Sequence, residues 1–324
     1  MKAGRFVIWM AAAALASLAQ AAALDTVKVG KSGPPMLLSL LELGQETGIW
    51  EKNGLTVVSV EFAGEAKTMQ ALAAGSIDLG FGSGAGLAFP VKGLPATAVA
   101  AMSGPPYMLV LVTAPKSAIR AADDLKGKTI GVSTVGSLTE WVVHELSRKL
   151  GWGSDGIKSL PIGGASAAMA ALETAQIDGA VVGEAFGYES EDRGRARVML
   201  SFGDRIGLFH SNVLYAANAL IARDPHVVEL FLKGWFETVA YARARPDEGA
   251  KVGARTLGVS LDAASRAYRD EVLRMASDDG VFDPAAVEVV RRSMKEMGIL
   301  ETVPAASALY STRFVGTRSQ GGSR

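Results

Sequence analysis

Two periodicities of apolar and polar residues run along the chain and alternate with each other. "DTVKVG" (Asp25 to Gly30) switches residue by residue, which predicts a half-buried strand. "PMLLSLLELGQETGIWEKNG" then carries its apolar residues at helical spacing, with Gly48 and Gly54 as punctuation. "LTVVSVEFAG" is β-branched and reads as a strand, "EAKTMQALAAG" as a helix, "IDLGFGSG" as a strand and "AGLAFPVKG" as a short helix. "ATAVAAMSG" and "YMLVLVT" are further strands. Strands and helices joined by short connections predict an α/β fold with largely parallel sheets flanked by helices.

The pattern then restarts. "SAIRAADDLKG" is a surface helix and loop, "KTIGVST" a strand, "SLTEWVVHELSRKLGW" a helix, "IKSLPIGG" a strand, "ASAAMAALETA" a helix and "IDGAVVGE" a strand. "ARVMLSF" and "NVLYAANALIA" read as strands again. The restart is visible in the letters. "MQALAAGSID" (Met69 to Asp78) and "MAALETAQID" (Met169 to Asp178) place Met, Ala, Leu, Ile and Asp at the same offsets. Each copy predicts an amphipathic helix, a tight turn and a buried strand, with the Asp bonding to turn backbone. From Asp224 the chain is mainly helical, and "GTRSQGGSR" ends it as a tail.

The first residues change the picture. "MKAGRFVIWMAAAALASLAQAAA" has a basic start, an apolar run and an Ala19-Gln20-Ala21 cleavage pattern, so residues 1–23 are expected to be a secretory signal peptide. An exported product is expected, in a bacterial periplasm. The chain has no Cys, which excludes thiol chemistry, disulfides and a lipoprotein anchor, and leaves stability to a packed core. Its 33 basic and 33 acidic side chains leave no electrostatic footprint for nucleic acid.

Four stretches taken in order resemble one family: "GLPATAVAAMSG", "DDLKGKTIGVSTVGS", the repeated "AL…IDLG" and "AL…IDGA", and "DPHVVELFLKGWFETVAYARARPDEG". The chain is similar to the solute-binding proteins of nitrate/sulfonate/taurine-type ABC importers, from Val27 to about Phe314. The resemblance implies a type II-like periplasmic-binding-protein fold of two lobes with a two-segment hinge. Lobe 1 is then expected at 24–112 plus 212–315, lobe 2 at 113–211, a flexible tail at 316–324, and the crossovers near 107–114 and 208–215. It also implies a monomer that closes over a small organic ligand, with a sulfonate- or carboxylate-like anion among the candidates, and delivers it to an inner-membrane permease, with no cofactor and no metal. A sensory protein presenting its ligand to a membrane receptor and an exported enzyme on the same fold are the alternatives.

In open α/β sheets ligands sit beyond the carboxyl ends of the strands. That rule selects the loops Lys31–Pro35, Ala63–Glu65, Gly82–Ala85, Val135–Thr139 and Gly163–Ser166, and the strand end Gly183–Phe186. Glycine allows close backbone approach, and a neighbouring hydroxyl or free helix N–H can meet an oxygen-rich group. The candidate ligand-binding residues are therefore Ser32, Gly33, Gly64, Ser83, Gly84, Gly136, Ser137, Thr139, Gly164, Glu184 and Phe186. The resemblance adds weight to Ser137, whose Gly-Ser loop corresponds to a ligand contact of the family. Ser137-x-x-Glu140 is also a capping box, so the hydroxyl either caps the helix, meets ligand, or does both. Glu140 and a cleft-facing Glu184 argue against assuming an anion; Glu184 could instead pair with Arg193 or Arg195. Trp141 is expected in the core, and Tyr107 and His210 at the hinge. His144, His210 and His226 have no metal-ligand spacing, no G-x-S-x-G elbow occurs, and Gly127-Lys128-Thr129 precedes a strand, so catalytic residues are expected to be absent.

Overall fold

The computed structural model describes residues 24–316 apart from 33, 34, 63 and 297. The expected signal peptide, the tail from 317 onward and the candidate Gly33 lie outside the described residues.

Ten strands form two five-stranded sheets: β1 (Asp25–Ser32), β2 (Leu55–Phe62), β3 (Leu79–Gly82), β4 (Ala96–Ala101), β5 (Leu109–Thr113), β6 (Thr129–Val132), β7 (Lys158–Pro161), β8 (Gly179–Gly183), β9 (Arg197–Ser201) and β10 (Val213–Ala217). The first sheet has the order β2-β1-β3-β10-β4 and the second β7-β6-β8-β5-β9. β1 runs parallel to β2 from the pair Asp25/Leu55 to Ser32/Phe62, and to β3 at Val29/Leu79 and Gly30/Gly80. The second sheet repeats this with Ile130/Gly179 and Gly131/Ala180. Each sheet is mixed rather than wholly parallel. β10 is antiparallel to β3 and β4, and β5 is antiparallel to β8 and β9. In both sheets the antiparallel strand is the one that has arrived from the other sheet, and each carries a register shift, at Leu214/Tyr215 and at Leu111/Val112.

The crossovers therefore run from 102 to 108 and from 202 to 212, several residues before the positions expected from sequence. The boundary expected at 112 falls inside β5, whose ladder partners all belong to the second sheet. "NVLYAANALIA" is also not one strand, because helix Asn218–Arg223 starts directly after β10.

The repeat has a shared structural meaning. In each copy the helix (Glu65–Ala73 or Ala165–Glu173) buries its Met and Leu, and the Ile before the strand is buried too. The Asp does not bond to its own turn. The Asp78 carboxylate accepts the Lys28 N–H at 3.0 Å, and Asp178 accepts the Thr129 N–H at 2.9 Å. Each Asp thus ties its strand to the neighbouring parallel strand, β1 or β6, while its own N–H donates to the carbonyl of the same residue, Lys28 or Thr129. The turn needs a left-handed residue, supplied by Gly75 (φ 69°) in one copy and by Ala175 (φ 55°) in the other. The central strands β3, β8 and β10 are apolar on both faces, as a sheet covered by helices requires.

Helix Pro225–Ala244 closes the first sheet with aromatics: Phe231 stacks on Trp50 at 5.1 Å, and Trp235 meets Phe81 at 4.9 Å. The C-terminal helices also reach the second sheet. Arg266 of helix Leu261–Tyr268 pairs with Glu191 at 2.8 Å and Asp192 at 2.9 Å, on helix Glu184–Asp192 beside the second sheet. Arg292 of helix Pro284–Glu296 reaches Glu145 of helix Leu138–Lys149 at 3.1 Å. Trp141 is in the core as expected, stacked on Phe209 of the second crossover at 4.1 Å.

Candidate functional site

The strand-end loops of the two sheets face each other across a cavity of about 980 Å³. Ser32, Gly64, Glu65 and Ser83 line it from the first sheet, and Ser133 to Thr139, Gly163, Gly164 and Gly183 from the second. Met108, Leu109, Ser211 and Asn212 close it at the crossovers. Leu257, Val259 and Ile299 add a wall from the C-terminal helices and their connections, which the chain pattern did not foretell.

Of the candidates, Ser32, Gly64, Ser83, Gly136, Ser137, Thr139, Gly164 and Phe186 line this one space. Gly84 and Glu184 do not. The Gly84 N–H donates to the His210 carbonyl at 2.8 Å, and a Cβ there would stand 2.7 Å from that oxygen. Gly84 thus lets the second crossover pack onto the first sheet.

Glu184 opens a helix just after β8, but its side chain turns away from the cavity and is fully buried. Tyr188, one turn along, donates to its Oε1 at 2.8 Å. Its carboxyl also contacts Asp270 and feels the charge of Glu271, both on the helical segment Arg269–Arg274. Burial first, then the Glu271 charge, pushes the Glu184 pKa up to about 10. Glu271 is buried as well and is pushed up to about 8 by desolvation, against hydrogen bonds from the Leu37 and Met36 N–H groups. Neither Arg expected as a partner is there: Arg193 pairs with Glu189 and Arg195 with Glu173.

The start of helix Leu138–Lys149 is capped from within. Ser137 Oγ accepts the Glu140 N–H at 3.3 Å and contacts Thr139 Oγ1 at 2.8 Å. The second half of the expected box is displaced by one residue, since the Glu140 carboxylate takes the Gly136 N–H at 2.6 Å. Its other oxygen accepts Ser159 at 3.1 Å. A carboxylate therefore already satisfies an N–H that an anion would use.

Glu65 is the residue that the sequence did not single out, although its loop was selected. It stands at the first position of helix Glu65–Ala73 and lines the cavity. Its Oε1 accepts the Ser83 N–H at 2.8 Å and its Oε2 the Ser83 hydroxyl at 2.8 Å. Tyr215 of β10 donates to the Ser83 carbonyl at 2.9 Å, which fixes the loop from behind. Gly82 and Gly86 make room: a Cβ on them would stand 2.5 Å and 2.0 Å from Glu65 Oε1. Desolvation raises the Glu65 pKa to about 7, opposed by the two Ser83 hydrogen bonds. The pairing of Glu65 with Ser83, 18 residues on, is tertiary, and only the glycines around Ser83 hinted that something approaches there.

None of His144, His210 and His226 lines the cavity. Among the described residues no cluster of His, Asp and Glu could hold a metal ion, and no helix is long and apolar enough to cross a membrane.

The profile described as NMT1/THI5 like matches residues 40–249. A protein of Brucella abortus (strain 2308) whose name describes it as a binding protein is 24% identical over 238 residues, covering 72% of each chain. Among solved structures the fold is similar to the alkanesulfonate-binding protein SsuA from Xanthomonas axonopodis pv. citri, with a TM-score of 0.72 and 19% identity over 89% of this chain and 98% of that one. It is also similar to the periplasmic aliphatic sulphonate-binding protein SsuA from Escherichia coli, with a TM-score of 0.73 and 18% identity over 93% and 95%. The desulfurization enzyme DSZB shares the fold too, with a TM-score of 0.62 and 17% identity over 90% and 97%.

Proposed function

Because the chain belongs to the NMT1/THI5-like family, we propose that it is the solute-binding component of an ABC importer, exported to the periplasm, monomeric, and closing on a small organic molecule. The observation that carries this reading is the cavity of about 980 Å³ lined by strand-end loops of both sheets, with the sheets joined through two crossovers. One lobe holds β1–β4 and β10 and the other β5–β9, with residues 102–108 and 202–212 as the hinge.

A ligand touching both sets of loops stabilises the closed arrangement over the open one. Moving a clamp from about 1% to about 99% closed needs about 5.5 kcal/mol of differential affinity. Two to four hydrogen bonds to charged groups, at about 1.5–3 kcal/mol each, suffice. The permease then reads the closed shape.

The protein acts without catalysis in this reading. Ser83 donates to the Glu65 carboxylate at 2.8 Å, a pair that a nucleophile and its general base would also form, so turnover is tested directly. The fold of DSZB keeps an enzymatic reading open to test, and a sensory role would use the same clamp. Native mass spectrometry of protein drawn from its own periplasm is expected to show one bound small molecule, unchanged on prolonged incubation. Adding that molecule to stripped protein should reduce the radius of gyration in solution scattering and stimulate ATP hydrolysis by the reconstituted permease. Turnover of the molecule, or binding without compaction, would overturn the proposal.

A further inference from the structure

Apolar side chains dominate the walls of the cavity, among them Leu38, Phe81, Phe89, Met108, Phe186 and Ile299. Its charged lining residues are Glu65 and Lys92. Lys92 is exposed to solvent, whereas Glu65 is fixed among Ser83, Gly82 and Gly86. Among the described residues no Lys or Arg forms an ion pair with Glu65. Each of its oxygens accepts one hydrogen bond from Ser83, which leaves lone pairs on both for another donor. An apolar cavity with one carboxylate and no buried cation is a poor host for an anion. The N-terminus of helix Leu138–Lys149 is not free for one either, since Glu140 holds the Gly136 N–H.

We propose that the ligand of this cavity is a bulky, largely apolar molecule carrying an amine, and that the amine bonds to Glu65. The proposal rests on the solute-binding reading above and narrows its ligand. The apolar body is removed from water by both lobes, and the ammonium supplies the charge partner that Glu65 lacks. Across the cavity the helix Ala165–Glu173 begins without a side-chain cap, so an oxygen elsewhere on the same molecule can accept its N–H groups.

The charge on Glu65 makes this testable by pH. The titratable group facing it from another element is Tyr215 of β10, which burial and then the Glu65 charge keep protonated well above the usual range. The Glu65 pKa of about 7 means that it is largely protonated below neutrality when the cavity is empty. An ammonium requires the ionised form. Apparent affinity follows the fraction of protein in the competent state, so it should fall about tenfold per pH unit below 7.

The probes are 2-(2-naphthyl)ethylamine, the matching ethanol and the matching ethanesulfonate, tested on the stripped protein by calorimetry and thermal shift at pH 5, 6, 7 and 8. The amine is expected to bind at least tenfold tighter than the alcohol at pH 8, to lose affinity toward pH 5, and to release protons on binding. Glu65→Gln should lose at least tenfold in amine affinity and flatten the pH profile, while the wild-type profile alone carries the same information if the variant fails to fold. Tighter binding of the sulfonate, a flat pH profile, or binding of none of the three would overturn the ligand class. Solution scattering separates this from the wider reading: compaction by the sulfonate keeps the clamp and discards the amine, whereas amine binding without compaction does the reverse.

Discussion

Replacing Glu184 with Gln should make the protein more stable, and by an amount that grows with pH. Glu184 is fully buried against Tyr188 and Asp270, and burial together with the Glu271 charge raises its pKa from 4.5 to about 10. Between those values the folded protein keeps a proton that the unfolded chain has lost. The contribution is therefore intact below about pH 4.5 and is eroded as pH rises toward 10, at about 1.4 kcal/mol per pH unit. At pH 7 the 2.5 units above 4.5 correspond to a ceiling of roughly 3 kcal/mol withheld from the wild type. Gln has the same shape, accepts from Tyr188 through its carbonyl, and donates to Asp270 through its amide without needing a proton. Opening of the lobes would let water reach the pair and reduce the effect. Urea unfolding of both proteins at pH 5, 6, 7 and 8 measures the difference. Glu271, pushed up to about 8, remains in both and largely cancels. A difference that stays flat with pH, or a Glu184→Gln variant less stable than wild type at pH 8, would refute the reasoning.

Three other substitutions follow from single contacts. Ser137→Ala removes the hydroxyl that caps helix Leu138–Lys149 and should lower stability by about 1 kcal/mol in urea unfolding, with no loss if the cap is idle. Gly86→Ala puts a Cβ 2.0 Å from Glu65 Oε1, so it should lower stability by about 1–3 kcal/mol and cut ligand affinity at least tenfold by calorimetry; unchanged affinity would mean that Glu65 is not a contact. Ala175→Gly relieves a left-handed backbone, where an L side chain costs about 1–2 kcal/mol, less the entropy Gly loses on folding. A net gain of about 0.5 kcal/mol, read as a raised melting temperature, is expected, and the reverse change Gly75→Ala should lower it.

The order of strands and helices and the two copies of the Met-to-Asp unit were legible in the chain itself. They depend on local periodicity and on turn residues, which act within about ten positions. The loops that would meet a ligand were legible for the same reason, because a strand end followed by Gly, Ser and a helix start is a local pattern. Two things were decided only by tertiary structure. β5 belongs to the second sheet although 112 was expected to close the first lobe, and the return of β10 to the first sheet was implied by the family resemblance alone, because pairing between strands 66 to 137 residues apart leaves no period to read. Glu184 and Glu65 look alike in sequence, each opening a helix after a strand-end glycine. One is turned into the protein against Asp270 and Glu271, and the other lines the cavity under Ser83. A carboxylate's charge state and direction are set by what surrounds it in space, and those surroundings come from residues that the chain brings together only by folding.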